Sequence, residues 1–126
     1  MSAADRLSFP ASRRLKSPAE FRRAYDRNRS AADAWLVVYA CENGLPHPRL
    51  GVSVSRKSGG AVVRNRIKRL YREAFRLTQR DLPDGVDLIL IPRVKAGEPT
   101  LESLKSSLIA LARRAAALLG EREAGS

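Results

Sequence analysis

The sequence predicts an α+β fold: an α/β sandwich with one small mixed β-sheet of three to four strands covered by helices. Three observations predict it. Apolar runs of strand length, at residues 34–42, 50–55 and 86–91, end at turn-forming residues. Amphipathic helical stretches alternate with them. The resulting order is helix, strand, strand, helix, strand, helix, with room for a short extra strand near Ser30. The length of 126 residues suits one domain with one core, placed at about residues 13–118 between flexible tails.

Each element has a local cause. Residues 1 to about 16 read as irregular, with Pro10 and the basic group Arg13-Arg14-Leu15-Lys16. Ser17-Pro18-Ala19-Glu20 is a capping box with proline at the first helical position, so a short helix runs from residue 18 to about 27. It sets Phe21, Ala24 and Tyr25 on one side. Phe21 and Tyr25 are neighbours at i,i+4, a pair that reads by default as core packing. Residues 28–33 form a turn or short edge strand. Over 34–42, Trp35, Val37, Tyr39 and Cys41 share one face and Leu36, Val38 and Ala40 the other. Both faces are apolar, which predicts a central strand. The turn residues of 43–48 make a loop. Residues 50–55 return as a strand, with Leu50, Val52 and Val54 inward and Ser53 and Ser55 outward. The basic loop Arg56-Lys57-Ser58-Gly59-Gly60 then opens a helix over about 61–80, which Asp81-Leu82-Pro83-Asp84-Gly85 ends. Residues 86–91 form a third clear strand stopped by Pro92, and 93–99 a loop. Thr100 caps a last helix with the stripe Leu104, Leu108, Leu111, Ala115 and Leu118, ending near Gly120 before a frayed tail. The unit over 50–91 is a parallel strand–helix–strand crossover.

The charge balance narrows function. There are 24 Lys and Arg against 13 Asp and Glu, a net charge of +11. Such an excess on a small domain points first to nucleic acid. A membrane surface ranks second but lacks support, because no long apolar run or lipidation motif is present. No secretory signal opens the chain, and the single Cys41 excludes an internal disulfide, which fits a reducing cytoplasm. Cys41 itself reads as a small buried strand residue.

The cations concentrate in one place. Between Arg56 and Arg80 stand Arg56, Lys57, Arg64, Arg66, Lys68, Arg69, Arg72, Arg76 and Arg80, opposed only by Glu73. At about 100° per residue, Val63, Ile67, Leu70, Ala74 and Leu77 fall on one arc of the long helix. Arg64, Lys68, Arg69, Arg72, Arg76 and Arg80 fall opposite, with Asn65 among them and Arg66 at the border. Like charges at i,i+4 cost a few tenths of a kcal/mol per pair, so this row calls for an external polyanion. Arginine outnumbers lysine here, and its planar fork suits bidentate phosphate contact and stacking on bases. Phe21, Tyr25, Trp35 and Tyr39 are candidate stacking groups.

Catalytic groups are not apparent. His47 is the only histidine and lies in a Pro-flanked loop. Asp81, Asp84 and Asp87 stand at i,i+3, but Pro83 and Gly85 break the helix that would align them, so they read as a cap and turn. Gly59-Gly60 lacks the spacing of a phosphate-binding P-loop. The polypeptide is therefore expected to carry no bond-breaking residues and no bound metal.

The segment from Leu50 to Phe75, with Arg64-Asn65-Arg66 followed by Lys68-Arg69, resembles the protein subunit of bacterial ribonuclease P. Arg14-Leu15-Lys16, Glu20-Phe21, Tyr25, Leu36-Val37-Val38-Tyr39, Asp87 to Pro92 and the Leu-rich last helix match in order and spacing. The likeness covers about residues 13–118. It implies a ribonucleoprotein whose RNA performs magnesium-dependent hydrolysis. That enzyme removes the 5′ leader of precursor tRNA and processes some other structured RNAs. The protein is implied to be auxiliary: it broadens substrate recognition and lowers the magnesium demand, without membrane or DNA as partner. Its Arg64, Asn65, Arg66, Lys68, Arg69 and Arg72 are implied to face the catalytic RNA. A cleft floored by the sheet and walled by the first helix is implied to hold the leader through Phe21, Tyr25 and Tyr39, with Ser53, Arg56 and Lys57 nearby. This moves the three aromatics from core packing toward stacking. The likeness also implies a left-handed crossover, against the general right-handed rule. Gly60 departs from the polar or basic residue expected there. Two other readings remain: a ribosomal-type structural RNA-binding protein without a role in cleavage, and a nuclease acting without RNA.

Overall fold

The computed structural model describes residues 11–93 and 98–120. Most of the start expected to be irregular, the tail expected to fray after Gly120 and part of the loop expected after Pro92 lie outside the described residues. Helix α1 (Pro18–Arg27) begins as its sequence dictates. Ser17 Oγ accepts from the Glu20 N–H, the Glu20 carboxylate accepts from the Ser17 N–H, and Asn28 ends the helix at φ 55°. Strands β1 (Arg29–Ala32), β2 (Leu36–Glu42) and β3 (Arg49–Val52) follow, then the basic helix α2 (Ala61–Thr78), β4 (Val86–Pro92) and α3 (Leu101–Gly120). Thr100 Oγ1 caps α3 by accepting from the Ser103 N–H.

The four strands are ordered β1-β2-β4-β3. β2 is antiparallel to β1 and β4, and β4 is parallel to β3. The second strand is central, as its two apolar faces predict. β3 runs back against β2 without pairing with it, because β4 inserts between them. The connection from β3 through α2 to β4 is the expected parallel crossover.

Strand alternation assigns the two faces. Leu36, Val38, Ala40, Leu50, Leu88 and Leu90 turn toward α2 and α3, where Tyr71, Phe75, Leu104, Leu108 and Leu111 complete the main core. Each large side chain fully buried here stabilises the fold by about 1.5–3 kcal/mol. Cys41 and Ile89 turn the other way, toward Leu15 and Ala24, with half-buried Phe21, Tyr25, Tyr39 and Ile91 around them.

Four expectations are corrected. The buried face of α2 is Tyr71, Ala74, Phe75 and Thr78, so the helix is rotated by roughly 70° from the stripe of Val63, Ile67, Leu70, Ala74 and Leu77. The large rings of Tyr71 and Phe75 fill the core better than Val63 and Leu77, which stay half-exposed. Trp35 precedes β2 rather than alternating within it, and packs against the main core, away from Tyr39 and Cys41. Asp87 lies inside β4, as the strand over 86–91 predicts, and not in the cap and turn read for it with Asp81 and Asp84; its side chain is fully buried. And residues 14–15 are not irregular, since Arg14 bridges Leu50 in parallel and the Leu15 N–H donates to the Leu50 carbonyl at 2.8 Å.

Tyr71 makes the stability of the fold depend on pH. Its hydroxyl donates to the Trp35 carbonyl at 3.2 Å, and burial, then the nearby Asp33 charge, pushes its pKa up to about 12. A folded pKa above the unfolded one gives stability that is complete below about pH 10 and lost as pH rises toward 12. Urea unfolding at pH 9 and pH 11 is expected to show this loss. Tyr71→Phe is expected to cost about 1 kcal/mol at neutral pH and to shrink the alkaline loss. An alkaline loss of equal size in the variant would place its origin elsewhere.

Candidate nucleic-acid interface

Helix α2 distributes its cations over three flanks. Asn65, Arg69, Arg72 and Arg76 recur at i, i+4, i+7 and i+11, so they form one row. Together with Glu73, and with Arg14 from the segment before α1, they line a groove of about 380 Å³. Arg76 donates to Glu73 from both Nε and Nη2, and this pairing holds the Glu73 carboxyl below the usual carboxylate range. Four guanidinium groups around one carboxylate leave the groove strongly positive. Its forked donors match phosphate oxygens in geometry as well as charge.

The other predicted α2 residues lie elsewhere. Arg66 sits on the far flank, exposed, 3.8 Å from Glu98. Arg64 and Lys68 are half-buried, turned toward the core by the rotation of the helix, and Arg64 Nε is buried without a hydrogen-bond partner. Of the six residues assigned to RNA contact from the sequence, the groove brings together Asn65, Arg69 and Arg72. Those six left out Arg14, Glu73 and Arg76, although Arg76 stood on the cationic arc read from the sequence. For Arg76 the i,i+4 spacing from Arg72 was a usable signal; for Arg14 there was none, because only the chain's path brings it there.

On the opposite sheet face, α1 builds a wall. The Tyr25 and Tyr39 rings meet edge to face, centroids 5.1 Å apart and planes at 80°. Phe21 lies over Gly51 so closely that a Cβ there would come within 2.6 Å of its ring. A side chain at position 51 would push the ring off the sheet. The register aligns Tyr39, Ile89 and Gly51 across the sheet beneath this wall. The next row, half-buried Val37 and Ile91, continues to Ser53, whose N–H donates to the Leu90 carbonyl at 2.9 Å. Arg56 and Lys57 are exposed on the 3-10 turn beyond, where Ser55 Oγ accepts from the Lys57 N–H.

A buried ionic cluster fixes that wall. Asp87 on β4 accepts from Arg49 Nε and Nη2 at 2.7 and 2.8 Å, from Arg23 Nη2 at 2.7 Å and from Asn43 Nδ2 at 3.0 Å. Arg49 also pairs with Glu20 at 3.1 Å. Through Arg23 and Glu20, both on α1, the cluster ties the helix to β3 and β4. Bonding to Asp87 raises the pKa of both guanidinium groups, and the Lys16 and Ser17 amides lead in lowering that of Glu20.

A family model for ribonuclease P matches residues 9–116. The chain belongs to the ribonuclease P protein family. It is 43% identical over 105 residues to the ribonuclease P protein component of Brevibacillus brevis, covering 82% of this chain and 83% of that one. It is 41% identical over 101 residues to that of Caldanaerobacter subterraneus subsp. tengcongensis, covering 80% and 87%. The solved ribonuclease P protein of Thermotoga maritima superposes with a TM-score of 0.73 at 32% identity, covering 80% and 96%. The fold described above is thus that of ribonuclease P proteins. At the level of the family, the chain is a component of an endoribonuclease that processes the 5′ end of tRNA. A ribosomal-type structural role is not favoured. Membership implies partnership with ribonuclease P RNA. Among the described residues, no helix is long and apolar enough to cross a membrane.

Proposed function

We propose that the chain binds the catalytic ribonuclease P RNA with α2 and the 5′ leader of precursor tRNA with the aromatic wall of α1. The observation that carries this reading is the separation of two surfaces on opposite faces of one sheet. One is the guanidinium groove of Asn65, Arg69 and Arg72; the other is the half-buried cluster of Phe21, Tyr25 and Tyr39. Folded RNA presents a phosphate backbone, which suits the groove. A single-stranded leader presents unpaired bases, which suit aromatic faces beside an open sheet row. Arg64, Arg66 and Lys68 extend the RNA-facing charge along the flanks of α2, while Ser53, Arg56 and Lys57 follow the leader past the end of β3. Hydrolysis belongs to the RNA, which holds the magnesium; the protein contributes binding and lowers the magnesium demand. The holoenzyme acts in the cytoplasm.

Reconstitution tests the reading. The full chain is added to catalytic ribonuclease P RNA at low magnesium, and 5′ processing of precursor tRNA is followed with leaders of increasing length. Stimulation that grows with leader length is expected. No stimulation overturns the reading, and cleavage by protein alone assigns the chemistry to the polypeptide instead. Within the cleft, Phe21→Ala and Tyr39→Ala are each expected to weaken leader binding by about 1–3 kcal/mol per stacked base. Loss of folding stability with leader affinity intact would return these rings to a packing role.

A further inference from the structure

The residues just before α1 form a strap along the outer edge of β3, which is the last strand of the sheet. The Leu15 N–H bond to the Leu50 carbonyl and the Arg14–Leu50 bridge hold it there. Arg13 Nη1 donates to Gln79 Oε1 at 2.6 Å, tying the preceding residue to the turn after α2. Neighbouring residues of an extended segment point opposite ways. Leu15 therefore turns under Phe21 into the aromatic cluster, buried, while Arg14 is exposed and turns to the groove on α2.

We infer that Arg14 is a contact for the catalytic RNA, forming the second wall of a two-sided clamp on its phosphate backbone. The inference rests on the reading of the α2 groove as the RNA site. A helix face alone offers a convex row of cations, which meets a backbone from one side. A guanidinium from a second element makes the site concave, and a concave site lined by one sign of charge concentrates the field on a ligand lying within it. The strap is ordered on folding through Leu15, Arg13 and the capping box at Ser17, so little further order is lost when RNA binds. The pairing of Glu73 with Arg76 orients one fork on the helix side. The same strap places Leu15 beneath Phe21, so the RNA groove and the aromatic cluster share one structural support.

The test measures binding of the full chain to catalytic ribonuclease P RNA across a salt series. Arg14→Gln is compared with Arg69→Gln in the groove and with Arg114→Gln, an exposed α3 residue outside it. Arg14→Gln is expected to bind about tenfold more weakly, with a salt slope lower by about 0.7–0.9. Arg14→Lys is expected to restore the slope while recovering only part of the affinity, because ammonium lacks the fork. Arg114→Gln should bind as the parent does. If Arg69→Gln weakens binding and Arg14→Gln leaves affinity and slope unchanged, the clamp is wrong and the RNA site on α2 stands. If neither variant changes binding, both readings fail.

Discussion

Asp87→Ala is expected to destabilise the fold by about 3–5 kcal/mol, the cost of stripping the partner from a buried ion pair. The Asp87 side chain is 0% exposed and that of Arg49 only 18%, so Arg49 would keep its charge largely away from water with Glu20 alone to answer it. Arg23, at 51% exposure, can turn to solvent, and Arg23→Gln is expected to cost under about 1 kcal/mol. The two variants together separate a buried requirement from a surface pairing. Urea unfolding measures both. For a domain whose total stability is on the order of 5–15 kcal/mol, the first loss is large enough to populate unfolded chain at physiological temperature. A cost below 1 kcal/mol for Asp87→Ala would mean that water reaches Arg49 easily and that the cluster does not fix α1. A milder variant, Asp87→Asn, keeps the shape and is expected to fall between the two. Because α1 carries Phe21 and Tyr25, a variant that remains folded with a loosened α1 should also lose leader affinity.

The second large effect concerns the groove. Replacing Arg69 and Arg72 together by Ala is expected to weaken binding to the catalytic RNA by about 100-fold or more, since a hydrogen bond to a charged group contributes about 1.5–3 kcal/mol. The salt slope should fall by about 1.4–1.8, one increment for each phosphate lost. Both residues are exposed, and α2 is crowded with like charges, so the melting temperature should hold or rise. That combination, weaker binding with equal or greater stability, is the mark of a surface kept for a ligand. An unchanged slope would show that this face of α2 points at solvent in the complex.

Helix faces and strand faces differ in how clearly they can be read from the chain. The capping box at Ser17, the proline at Pro18 and the Thr100 cap act within a single turn, so those helix starts follow from sequence. β2 and β4 were legible because apolar residues on both faces can only belong to interior strands. The face of α2 was harder. Val63, Leu70 and Leu77 form an apolar stripe nearly as good as Tyr71, Phe75 and Thr78, and periodicity cannot choose between neighbouring stripes. The choice fell to the rings that fit between the sheet and α3. That rotation draws Arg64 and Lys68 toward the core and leaves Asn65, Arg69, Arg72 and Arg76 in one row.

By itself the sequence determined the fold class, the order of elements, the excess of cations on one helix and the family signature. These depend on local pattern and composition, which neighbouring residues carry. Only the tertiary structure decided three things. It placed β4 between β2 and β3, buried Asp87 among Arg23, Arg49 and Asn43, and laid the strap beside β3 so that Arg14 faces α2. Each joins residues dozens of positions apart. No short-range pattern encodes such a meeting, because it is set by which surfaces remain to be covered once the sheet has formed.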